Sequence, residues 1–100
     1  MEIEVYQSEL GREIEKELIG KLRYVGETFG SGLELTNGEI YDVIEIDGGD
    51  MLRVVDDSEE DYLYSIETPA PLDGSSEGGR WEIVEDYTGE LGKIFKGLNQ

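Results

Sequence analysis

From Lys21 to Asp86 the chain is divided into short β-rich runs by turn residues, and this punctuation limits the fold more than any other feature. Asp47-Gly48-Gly49-Asp50 supplies glycines that tolerate the positive φ of tight hairpins. Asn37-Gly38 is a second turn signal, and Asp57-Ser58-Glu59-Glu60 is another short polar connection. Five strands are expected, over 21–25, 39–46, 51–55, 62–66 and 81–84. Leu22 and Tyr24 share one face of the first, and Ile40, Ile44 and Ile46 one face of the second. Strands two, three and four then pair antiparallel in sequence order. The Pro- and Gly-rich stretch 69–79 reads as an exposed loop.

The ends read differently. Residues 8–19 are expected to form an amphipathic helix: Ser8 can cap it, Leu10, Ile14 and Leu18 recur at i+4, and Gly20 can end it. Residues 1–6 are left open, since Glu2-Ile3-Glu4-Val5 fits either a strand or an extension of that helix. Leu91, Ile94, Phe95 and Leu98 mark a short C-terminal helix with Lys93 and Lys96 beside its apolar stripe. The expected division is a helical extension over 1–20, a β unit over 21–86 and a helical segment over 87–100, all sharing one core, because 100 residues leave no material for a second.

The order of strands, loops and turns resembles an SH3-like barrel. The residues that carry the resemblance are Leu35 to Ile46, which match a turn and second strand, and the closing Trp81-Glu82-Ile83-Val84-Glu85. It implies a mainly β, five-stranded barrel over 21–86. The peptide-binding residues of that family are not matched: the first loop offers only Phe29, the third strand opens with Met51-Leu52, and Gly78-Gly79-Arg80 precedes Trp81. The whole chain is also similar to small acidic proteins of bacteria and phage, a likeness that implies no activity.

Charge bounds the function. Twenty-five acidic residues against eight basic ones, with no histidine, give a net charge of −17. Such a field repels phosphate backbones and anionic membrane surfaces, so neither nucleic acid nor membrane is an expected partner. Residues 39–67 hold eleven acids and one base, Arg53. With neither histidine nor cysteine, Ser-His-Asp, thiol and histidine acid–base catalysis are excluded. Paired carboxylates remain, but a β unit this small offers little concavity to desolvate one, and the expected protein is not an enzyme and takes no cofactor. The N-terminus lacks a basic start and apolar run, and no stretch approaches the roughly 20 apolar residues of a membrane span, so a cytoplasmic protein is expected.

Candidate binding residues are the carboxylates Asp56, Asp57, Glu59, Glu60 and Asp61, as a clamp for a basic protein surface, and Phe29, as a loop-tip anchor or a lid over the core. The plainer alternative for the turn is a solvated segment that blocks edge pairing. A hard cation would also suit its oxygens. Asp73 to Gly78 starts like a calcium loop but has Val84 where the bidentate glutamate belongs, and Gly26 to Gly32 lacks the Gly-Lys-Ser/Thr ending of a phosphate loop. Two readings follow: a protein-binding module with an acidic face, or an inhibitor that mimics nucleic-acid charge against a basic nuclease or toxin. The terminal stripes are expected to dock on the β unit, giving a monomer in preference to a homodimer.

Overall fold

The computed structural model describes residues 1–7 and 9–98, with side chains as far as residue 96. Seven strands precede one helix: β1 (Glu2–Gln7), β2 (Arg12–Glu17), β3 (Gly20–Gly26), β4 (Ile40–Asp47), β5 (Met51–Val55), β6 (Asp61–Ser65), β7 (Gly79–Asp86) and α1 (Glu90–Leu98). Strands β3 to β7 make one antiparallel sheet in the order β6-β5-β4-β3-β7, and β1 pairs with β2 as a separate hairpin. The sequential pairing of β4, β5 and β6 is as expected, turning through Gly48 and Gly49 at φ +70° and +94°.

Two expectations are corrected. Among the described residues no helix covers 9–19. Of the supposed stripe, Leu10 lies in a turn and is exposed, Ile14 lies on β2 and Leu18 just past its end. The i+4 repeat is also a multiple of the two-residue strand period, and on β2 Ile14 and Lys16 point inward while Glu13, Glu15 and Glu17 point out. Gly11, at φ +66°, turns the chain, and its N–H donates to Gln7 O at 2.9 Å. Pairing with residues 2–7 then satisfies the backbone groups that each run turns toward the other, and the open segment is β1. The supposed cap, Ser8, lies outside the described residues.

The sheet also does not close into a barrel. Its edge strands β6 and β7 share no ladder. They meet through side chains: Trp81 Nε1–H donates to Ser65 O at 3.0 Å, and the Trp81 and Tyr64 rings stand edge to face with centroids 6.3 Å apart. The core lies on one face, with Leu22, Tyr24, Val43, Leu52 and Val54 fully buried and the Tyr24, Tyr41 and Tyr64 rings set around Trp81. A register shift after Val43 breaks the alternation of β4. Tyr41 and Val43 face the core before the shift while Ile40 is exposed, and after it Ile46 packs against the core, contrary to the Ile40/Ile44/Ile46 face expected.

The hairpin lies with Ile3, Val5, Gln7, Ile14 and Lys16 toward the opposite side of the sheet, beside β4 and β6. Val5, Leu18 and Ile44 are buried outside the main core. Gln7 Nε2–H donates across the seam to Asp61, which also receives Arg53 Nη1 at 3.2 Å.

Helix α1 forms where its stripe predicts. Asp86 caps it, accepting from Gly89 N–H at 3.0 Å and Gly92 N–H at 2.9 Å. Leu91 is fully buried, with Ile94 and Phe95 packed against the same core; the Leu98 side chain lies outside the described residues. Docking requires Gly20, where a Cβ would stand 2.4 Å from Leu91 Cδ1 and 2.6 Å from Glu85 O. Gly20→Ala is expected to lower unfolding free energy by about 2 kcal/mol, as overpacked cores do. Hydrogen exchange should show the loss first in the amides of α1, and unchanged protection there would refute this docking.

Candidate functional site

The acidic turn between β5 and β6 is mostly engaged within the protein. Asp56 is 5% exposed and accepts from Tyr64 Oη–H at 2.6 Å, from Ser58 N–H at 3.0 Å and from the Ser58 hydroxyl. Burial pushes its carboxyl above the ordinary range, and the Ser58 and Tyr64 hydrogen bonds pull it partly back. Asp57 accepts from Tyr41 Oη–H and Thr36 Oγ1–H, each at 2.8 Å, and so ties the turn to the loop before β4. Tyr41 is pushed up to about 12, by burial first. The Asp61 side chain is 7% exposed and is held by Gln7 and Arg53. Of the five expected clamp residues, Glu59 stands in solvent and Glu60 is half-buried. The turn is thus mainly an internal lock, because side-chain donors of neighbouring elements point at its carboxylates.

Phe29 takes the lid position. It is 6% exposed, bridges to Leu35 through paired backbone bonds of 3.0 and 3.3 Å, and stacks edge to face on Tyr24 at 5.8 Å. It closes one end of the core and presents no ring to a partner. Tyr62 and Tyr64 separate: Tyr64 is buried against Trp81 while Tyr62 is 49% exposed. In the loop once compared with a calcium site, Asp73 turns on its own loop, accepting from Ser75 N–H at 2.9 Å. Among the described residues no three acidic side chains converge on a metal position.

A set of exposed acids set across from one another stands on the solvent face of the β1–β2 hairpin. The register sets Glu2 opposite Glu17, Glu4 opposite Glu15, and Tyr6 opposite Glu13. All six side chains are exposed. No family model, curated protein or solved structure matches this chain. The site is therefore read from its chemistry alone. Like charges directly across a ladder repel. The Glu2 carboxyl is held above the ordinary range, first by a hydrogen bond with the Glu15 carboxyl and then by repulsion from Glu15. The N-terminal ammonium stands 3.4 Å from Glu17 Oε1 on this face. Tyr6, 42% exposed, adds a rigid amphipathic ring at one end.

Between hairpin and sheet runs an open cleft of about 500 Å³, lined by Gln7, Lys16, Arg53, Asp61 and Tyr62 among others. Its charges are mixed, and its buried carboxylate is occupied by Gln7 and Arg53. That arrangement fastens the hairpin to the sheet.

Sequence reasoning missed the hairpin face because it placed 8–19 on a helix. The available signal was the alternation of Glu2-Ile3-Glu4-Val5 continued by Glu13-Ile14-Glu15-Lys16-Glu17, two runs separated by a glycine-containing turn.

Proposed function

We propose that this protein is a cytoplasmic, non-enzymatic binding module whose acidic face receives a basic surface of another protein. The observation that carries the reading is the ladder of paired glutamates on the hairpin, an arrangement that costs stability in the free protein and that cations from a partner would relieve. Glu59 and Glu60 extend the acidic field beyond the hairpin, whereas Asp56, Asp57 and Asp61 serve the fold.

The test uses the full chain as bait. A captured protein is identified by mass spectrometry, purified and titrated against wild type, a hairpin variant (Glu4→Gln, Glu13→Gln, Glu15→Gln) and a turn variant (Glu59→Gln, Glu60→Gln). The expected outcome is an affinity that falls as salt rises, at least about tenfold weaker in the hairpin variant and about twofold weaker in the turn variant. A partner that binds both variants like wild type, with no dependence on salt, refutes the proposal.

A further inference from the structure

The hairpin offers an open strand edge as well as a charged face. Leu18 N–H donates to Met1 O at 2.6 Å, which makes Met1 and Leu18 a hydrogen-bonded pair. In an antiparallel ladder such pairs recur every second residue, so Ile3–Lys16, Val5–Ile14 and Gln7–Arg12 bond inward as well. The N–H and C=O groups of Glu13, Glu15 and Glu17 therefore point away from β1. Among the described residues no other strand pairs with β2, and no backbone bond to another element reaches these three residues. Every side chain of β2 is exposed or half-buried, whereas β1 carries the buried Val5 and the Gln7 link to β6. The edge of β7, by contrast, is interrupted by a bulge.

We propose that the open edge of β2 receives an extended segment of a partner protein with Lys or Arg at alternate positions, adding a third strand to the hairpin. This rests on the acidic-face reading above. The residues with free backbone groups are the ones whose carboxylates face solvent. A strand bonded to Glu13, Glu15 and Glu17 thus sets its own alternate side chains on the same face, each directly beside a glutamate. Two strands alone are marginal in water, and a third supplies both missing backbone bonds and countercharge. A second copy of this chain does not fit: two-fold pairing centred on Glu15 would set Glu13 against Glu17 and Glu15 against itself. The charge that blocks self-pairing selects a basic strand.

The test titrates isotope-labelled full chain with a peptide of alternating lysine and threonine, and with a lysine–alanine helical peptide of equal charge. The alternating peptide is expected to bind more tightly and to protect the Glu13, Glu15 and Glu17 amides from hydrogen exchange. N-methylation of its lysine amides, which would face β2, should weaken binding about tenfold or more, while N-methylation of the threonine amides changes it less than about twofold. Equal sensitivity of the two sets, or a helical peptide that binds as well without protecting those amides, overturns strand addition and leaves the acidic-face reading standing. Failure of both peptides to bind at low salt removes both.

Discussion

Replacing Asp56 by alanine is expected to lower the unfolding free energy by about 3 kcal/mol, the largest effect of any single acidic substitution in this chain. The carboxylate has three donors, from Tyr64 and Ser58, and Tyr64 is itself 5% exposed in the aromatic core. Without its acceptor the Tyr64 hydroxyl is stranded beside Trp81, and a stranded buried donor costs about 1–3 kcal/mol before the loosened turn is counted. Relief of a charge that burial disfavours offsets part of this. Asp56→Asn keeps an acceptor for Tyr64 and should stay within about 1 kcal/mol of wild type. Combining Asp56→Ala with Tyr64→Phe should cost less than the sum of the two changes, since each alone strands the other's partner. Urea denaturation of wild type, the three single variants and the double variant measures this. An Asp56→Ala chain within about 0.5 kcal/mol of wild type would show that the turn is a solvated acidic patch after all.

Stability should rise when pH falls from 7 to 5, the reverse of proteins held together by ion pairs. Glu2, Glu34 and Asp56 all have carboxyl groups raised above their ordinary values of 4.5, 4.5 and 3.8. Glu2 is raised by its hydrogen bond with Glu15, Glu34 and Asp56 by burial first. A carboxyl whose folded pKa exceeds its unfolded one binds more proton in the native state. Its contribution is therefore complete below the unfolded value and is lost as pH rises through the folded one. Lowering pH also reduces self-repulsion from a net charge of −17. The melting temperature is therefore expected to be higher at pH 5 than at pH 7. Calorimetry at constant ionic strength checks it, and Glu15→Gln should flatten the profile by removing the partner of Glu2. A melting temperature that stays level or drops between pH 7 and pH 5 would contradict this account.

Five strands of the main sheet were legible because their residues favour extended backbone and their turns carry glycines that few other arrangements need. Met51–Val55 falls where the pattern puts it, and β3 keeps Leu22 and Tyr24 on its buried face. The C-terminal helix was legible for a similar reason: Leu91, Ile94 and Phe95 are spaced at three and four residues, a set no strand places on one face. Leu10, Ile14 and Leu18 are spaced only by four, which both periods allow, so local pattern had no power to choose.

The candidate site shows the same division. The sequence located the acidic turn at 56–61 but held no information on which carboxylates have donors. Asp57 is occupied by Tyr41 of β4, 16 residues earlier, and by Thr36 of the preceding loop, 21 residues earlier, and Asp61 by Gln7, 54 residues away. For Phe29, at a glycine-rich loop tip, the sequence left anchor and lid open, and Tyr24 and Tyr64 enclose the ring.

Composition by itself determined that this protein is strongly anionic, without histidine or thiol chemistry, and its turn residues determined that it is mainly β. Those properties belong to residue types and neighbours in the chain. Tertiary structure alone decided that residues 2–7 and 12–17 form a hairpin, that the sheet stays open between β6 and β7, and that five exposed glutamates share the hairpin's solvent face. Each depends on which distant backbone or side chain satisfies a given polar group: residues 2–7 supplied the partner that turned an ambiguous stripe into β2, and Trp81 bridged by side chain where a ladder would have closed a barrel.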